Sequence, residues 1–324
     1  MADPSSLTLL TWPDYIAPET LDGFRVETGI RVNLEIVPSA VEMVARMRRG
    51  PAVDLLCPPE YAVRELVAES RLLPLDRRLL PLSVNLAPQF VRSRPHDPLD
   101  QFTFPKDWGT TGYLVRRDRI REPARSWGDF WELAERHSGR VTVLDSPGEV
   151  IGAALKMRGR PYNAADAESL EQAAKDLAAL RPRLLALATD YKPLIKSGEA
   201  WLSLGWNGDA AALRREGVDV AYVLPEEGSQ IWEDDWALDA GSPNPEGAHA
   251  FLNYLLRPDV AAQEALYTGY ATPNTSAWRM LPEAVRADPS IYPSTEDTSR
   301  LEYGLPGTKE GTARREAVWR SFRG

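Results

Sequence analysis

The strongest constraint in this sequence is an alternation of short apolar, β-prone runs with segments of helical periodicity. Residues 7–11 (LTLLT) read as a buried strand, and 32–36 and 53–56 as two more. Between them Pro18 stands where a helix starts and Gly29 where it closes, and 41–49 and 61–69 carry helical patterns. Strand–helix alternation of this kind predicts parallel β-α-β units with helices on the sheet faces. A second run follows residues 107–111, with strands at 113–115, 141–144, 202–204 and 220–224. Its helices are expected at 127–136, 150–156, 165–180 and 209–216, and helices at 245–256 and 258–266 follow, each with Pro in its first turn. At 324 residues the chain has the length for two α/β domains, each with its own core. No Ser/Gly-rich linker separates them, so the chain is expected to cross between them on short strand-like segments.

In open α/β sheets, ligands bind beyond the carboxyl ends of the strands. Here those ends share a composition. The first strand runs into Trp12, Asp14 and Tyr15, and the third into Tyr61. In the second run one strand leads to Asp145, Ser146 and Glu149, and another to Trp206 and Asp209. Further on, Trp232 stands beside Glu233, Asp234 and Asp235, and Tyr270 follows Gly269. Aromatic faces pack methylene segments and attract ammonium groups, while carboxylates pair with ammonium ends. The set therefore suits a linear organic cation, whose arrival would relieve the repulsion among converging acids. Each residue also has an ordinary structural role open to it. Trp12 or Trp206 alone can be core, Asp14 and Asp145 can stabilise turns, Asp209 can cap a helix, and 233–235 can be a solvated acidic turn. The repetition at five strand ends outweighs any one of them. Trp127, Trp131 and Trp319 read as helix-packing residues.

Composition narrows the class further. Lys and Arg number 38 against 47 Asp and Glu, a net charge of −9, which argues against a phosphate-backbone binder; no nucleic-acid partner is expected. Cys57 is the single cysteine, so neither a disulfide within the chain nor a multi-cysteine zinc site can form. His96, His137 and His249 lack ligand spacing and read as exposed helix or loop residues, so no metal site is expected. Dinucleotide, P-loop, zinc-protease and nucleophile-elbow motifs are absent from the sequence. No apolar run approaches the ~20 residues that span a bilayer. The start, MADPSSLTLLTW, lacks the basic and apolar regions of a signal peptide. That leaves a cytosolic chain, or a mature one whose leader has been replaced by a new Met.

Longer blocks carry a resemblance. Residues 10–18 (LTWPDYIAP), 24–32 (FRVETGIRV), 108–112 (WGTTG), 205–208 (GWNG), 253–260 (NYLLRPDV), 269–274 (GYATPN) and 291–293 (IYP) span nearly the whole chain. Together they are similar to the extracytoplasmic polyamine-binding proteins of bacterial ABC transporters, the spermidine/putrescine-binding family. The resemblance implies a two-lobed α/β fold of the type II periplasmic-binding-protein kind, with the ligand in the cleft between lobes and closure by a hinge. It places residues 1–109 and 233–278 in the first lobe and 110–232 and 279–324 in the second, with crossovers near 108–111 and 232–234. By residue, Trp12, Tyr15, Tyr61, Trp206, Trp232 and Tyr270 match the family's aromatic box, and Asp14, Glu149 and Asp234 its amine-binding acids. Asp209 holds a position that is acidic in putrescine-type relatives, and Ser146 one that is Asp in spermidine-type ones. Pro59 and Pro13 replace residues that usually carry hydroxyls. This combination leans toward diamine-like or mixed specificity and leaves a related cation such as agmatine open.

The implied function is capture of a polyamine for uptake through a membrane permease, by a monomer that is not an enzyme and needs no cofactor. The implied location is periplasmic or extracytoplasmic, compatible with a lipid anchor. Two other readings stand beside it. One is a glycoside hydrolase using paired carboxylates among sugar-stacking Trp residues. The other is a binding protein of the same fold for another small organic solute.

Overall fold

The computed structural model describes residues 5–38, 40–91, 94–305 and 307–324. Residues 1–4, which open the stretch read for a leader, lie outside that set, as do the side chains of residues 40 and 41 in the expected second helix. The chain forms two compact units. Met1–Trp108 with Glu233–Ala287 make the first, and Gly109–Trp232 with Asp288–Gly324 the second.

The first five strands are β1 (Ser6–Thr11), β2 (Arg31–Ile36), β3 (Leu55–Leu56), β4 (Leu72–Leu73) and β5 (Thr103–Arg116). The others are β6 (Val141–Val143), β7 (Leu184–Leu187), β8 (Leu202–Trp206), β9 (Val220–Val223) and β10 (Ile231–Asp239). The chain leaves the first unit within β5, after Trp108, and returns within β10, after Trp232.

In the first unit β1 lies between β2 and β3 and runs parallel to both, while β10 is antiparallel to β3 and β4. Leu7, Leu9 and Leu10 of β1 are all buried, as a parallel strand covered on both faces requires. The helix Pro18–Thr28 begins on Pro18 and ends at Gly29, whose φ of 76° places it in the left-handed region that favours glycine. Its Phe24 is fully buried against Phe251, with ring centroids 4.8 Å apart.

In the second unit β6 runs parallel to β7 and β8, and β5 is antiparallel to β8 and β9. The helix Trp127–Arg136 starts with a capping box between Ser126 and Asp129. It buries Trp127 and Phe130 against Tyr113 of β5, and Trp131 and Trp319 pack on the same core.

This mixed α/β fold is the one the sequence pattern predicts, but three expectations are corrected. First, β5 begins at Thr103, well before residue 113, and 233–235 form part of β10 instead of a solvated turn. Asp107, Thr110, Thr111, Glu233 and Asp235 in these strands are buried, so their polarity disguises a core position. Second, the first unit continues to Ala287 instead of ending at 278. The helix Thr275–Met280, whose cap Asn274 donates its side-chain amide to the Leu256 carbonyl of the same unit, runs through residue 278 without a break. Third, His96 and His249 are buried, and His249 Nε2 accepts from the Asp76 amide at 2.9 Å. No helix among the described residues is long and apolar enough to cross a membrane.

His96 belongs to an ionic cluster under β10. Arg94 Nη1 lies 3.0 Å from Glu233 Oε1 and 2.6 Å from Asp235 Oδ1, and its Nη2 donates to the Thr103 carbonyl at 3.1 Å. His96 Nε2 is 2.6 Å from Asp235 Oδ2. Although burial alone would push Asp235 up, Arg94 and His96 bring it down to about 2, while burial and the Asp235 charge push Glu233 well up. His96, Glu233 and Asp235 are close enough together to hold a metal ion, but the guanidinium already supplies the positive charge there. Removing one partner of a buried pair costs about 3–5 kcal/mol because the other charge is stranded. Arg94→Met is therefore expected to lower urea-unfolding stability by about that amount, and adding Glu233→Gln and Asp235→Asn is expected to recover part of it.

Candidate functional site

In the first unit, the turn after β1 carries Asp14 with a φ of 54°, a left-handed conformation that aspartate tolerates better than most residues. Asp14 stays exposed while Tyr15 is buried. The Tyr15 hydroxyl donates to Asp107 Oδ1 at 2.7 Å and also meets Asp234 Oδ2. A phenol has one proton, so the second contact is completed by a proton on Asp234. Burial and the nearby Asp107 charge raise Asp234 to about 7, which keeps that proton in place up to neutrality.

The Lys106 ammonium pairs with Asp107 and sits 3.7 Å from the centroid of the Tyr15 ring and 5.6 Å from that of Trp236. Burial pushes this ammonium down, but Asp107 and Glu264 outweigh it and the net shift is upward. Tyr270 meets Tyr15 edge-on, with centroids 6.2 Å apart. Burial and Asp234 push the Cys57 thiol well up, so it stays a neutral thiol here. Glu264 Oε1 accepts from the Ala17 amide at 3.0 Å and from the Thr20 hydroxyl, and its Oε2 is buried without a hydrogen-bond partner.

In the second unit, Ser146 precedes the helix Pro147–Met157 and Glu149 lies in its first turn. Glu149 Oε1 accepts from Thr111 Oγ1 at 2.9 Å and from Trp206 Nε1 at 2.5 Å, and the Ser146 hydroxyl also donates to this carboxylate. Burial raises its pKa, with those neutral donors opposing. Among the described residues no cation pairs with Glu149 or with Asp234.

The backbone N–H of Trp206 donates to the Tyr191 hydroxyl at 2.9 Å, and Tyr191 in turn bonds Asp209. Asp209 stands in the first turn of the helix Asn207–Arg215, 3.4 Å from the Lys192 ammonium. Burial raises Asp209 and Lys192 opposes that rise. Trp232 covers Gly109: a Cβ there would come within 2.4 Å of the indole and 2.6 Å of Asn207 Oδ1, so the position demands glycine. Asn207 Oδ1 accepts from the Thr110 amide at 3.0 Å, and its Nδ2 is a buried donor without a partner.

The structure thus brings Tyr15, Asp234 and Tyr270 together in the first unit. It links Ser146, Glu149, Trp206 and Asp209 in one network of the second, with Trp232 packed on Gly109 beside Asn207. Three further residues of the expected set have other surroundings. Trp12 packs on the core around Leu10 and Met43, Asp14 is the exposed turn residue, and Tyr61 is half-exposed with Glu65 and Arg48 as charged neighbours. Sequence reasoning missed Lys106, Asp107, Glu264, Thr111, Tyr191 and Lys192. The available signal was Lys106-Asp107 placed between Phe104-Pro105 and Trp108, polar residues inside an aromatic stretch.

Two α/β units whose strand ends carry aromatic rings and buried carboxylates define a class that holds small solutes. The chain belongs to the bacterial extracellular solute-binding proteins, whose family model matches residues 19–293. It is 34% identical to a spermidine/putrescine-binding periplasmic protein of Salmonella typhimurium, over 93% of this chain and 87% of the relative. It is 31% identical to a putrescine-binding periplasmic protein of Escherichia coli, over 93% and 86%. Among solved structures it resembles a spermidine/putrescine ABC transporter substrate-binding protein from Streptococcus pneumoniae, with a TM-score of 0.86, 30% identity and 98% of each chain covered.

The raised Asp234 has a consequence for the protein without ligand. Below pH 4 both folded and unfolded states hold the proton. Between about 4 and 7 the unfolded state releases it while the folded state retains it, so this group costs stability as pH rises, and above 7 the cost is constant. Asp234→Asn removes that cost. Its stability advantage over wild type in urea unfolding is expected to grow by up to ~1.4 kcal/mol per pH unit from pH 5 to 7 and then level off.

Proposed function

We propose that this protein captures a polyamine outside the cytoplasm and delivers it to the membrane permease of an ABC transporter, without chemical turnover. One observation carries the reading. Asp234 meets Tyr15 Oη and Glu149 accepts from Trp206 Nε1, and neither acid is in a salt bridge among the described residues. Burial raises the pKa of both, so an incoming ammonium would favour their ionised forms and pair with each. Tyr15, Tyr270, Trp206 and Trp232 supply faces for the alkyl segments and for cation–π attraction. The names of the relatives at 34% and 31% identity, spermidine/putrescine-binding and putrescine-binding, agree with this chemistry.

Calorimetry and thermal shift against putrescine and spermidine test the proposal. Saturable binding and a rise in Tm are expected, with the amine recovered unchanged by mass spectrometry; no response to either amine overturns it. Truncating one partner of a desolvated charge pair costs about 2–5 kcal/mol, or roughly 30-fold or more in affinity. Asp234→Asn and Glu149→Gln are each expected to weaken binding by that amount. Trp232→Ala is expected to weaken it as well, and to lower the Tm of the unliganded protein because the indole packs on Gly109.

A further inference from the structure

The Lys106 side chain is an alkyl segment ending in a primary ammonium, which is also the chemistry of a polyamine end. It sits as such an end would, over the face of Tyr15, near Trp236, and paired with Asp107. It is deeply buried, its side chain 5% exposed, and Glu264 adds a second acid in its surroundings. Only six lysines occur in this Arg-rich chain, so an ammonium at this position stands out. We propose that Lys106 is a specificity-determining residue: a tethered ammonium that neutralises Asp107, leaving Asp234 as the acid on Tyr15 that accepts a ligand ammonium and favouring diamines over triamines. This rests on the amine-binding reading above and goes beyond it by assigning the ligand's charge.

The argument is electrostatic. Tyr15 joins two acids, Asp107 and Asp234, and Lys106 is the cation paired with the first of them. With Lys106 present one is matched, and a second ligand ammonium brought to this set would meet a like charge in a low-dielectric setting. Lys192 acts in the same sense in the second unit. It lies 3.4 Å from Asp209, the residue whose acidity first suggested a diamine, and leaves Glu149 as the acid there without a cation.

Calorimetric titration of the full chain with putrescine (two ammonium groups) and spermidine (three) tests this. Wild type is expected to bind putrescine at least ~10-fold more tightly. Lys106→Met releases Asp107, and the spermidine-to-putrescine Kd ratio is expected to fall at least ~10-fold. Lys106→Gln, whose amide can still bond Asp107, is expected to shift the ratio in the same direction and serves if the Met variant does not fold. Adding Asp107→Asn to Lys106→Met removes the released acid and is expected to restore the wild-type ratio, a reversal that a purely structural role for Lys106 would not produce. A wild type that prefers spermidine, or one that binds both amines with a ratio that moves in neither lysine variant, overturns the inference and leaves the amine-binding reading standing. A wild type that binds neither amine overturns both.

Discussion

A buried carboxylate must be compensated, and the way each strand-end acid meets that requirement organises this molecule. Taking a carboxylate out of water costs several kcal/mol unless a cation or a set of donors replaces the lost hydration. Glu233 and Asp235 have Arg94, Asp107 has Lys106, and Asp209 has Lys192. Among the described residues Asp234 and Glu149 form no salt bridge and meet hydroxyl and indole groups instead. The first group builds the protein. The second group is held in position without an ion-pair partner, and an external ammonium would supply one.

The backbone places both kinds of acid on the same strands. β10 alternates Glu233 and Asp235 into the Arg94 cluster while Asp234, pointing the other way as strand geometry dictates, reaches Tyr15. One residue of slip would exchange their roles. The Arg94 cluster therefore does more than hold charge, because it pins the register that sends Asp234 toward the aromatic set. In the second unit Gly109 does comparable work, since only the absence of a side chain lets Trp232 and Asn207 close over β5.

Much of the fold was legible because apolar strands and capped helices announce themselves locally: LTLLT at β1, Pro18 and Gly29 around the first helix, Ser126 and Asp129 at the start of a second-unit helix. The start of β5 and the extent of β10 beyond the crossover near 232–234 were not, because they bury charged residues, and sequence patterning reads charge as exposure. Tyr15, Asp234, Tyr270, Glu149 and Trp206 could be picked out as aromatics and acids in the family-like blocks and at strand ends. Lys106 could not. A Lys next to an Asp reads as an ordinary surface pair, and its burial depends on Tyr15, Trp236 and Glu264, which are distant in sequence. Asp14, read as an amine-binding acid from its position beside Trp12 and Tyr15, is an exposed residue of positive φ in the turn that leads to buried Tyr15.

The claim that Asp234 and Glu149 are the unmatched acceptors is tested most directly by following their carboxyl carbons by NMR across a pH titration, with and without saturating putrescine. Without ligand both are expected to titrate above the ordinary carboxylate range, Asp234 near 7. With putrescine bound, an ammonium beside each should lower both midpoints by about one pH unit or more. Midpoints that stay where they were in the saturated protein would contradict the account.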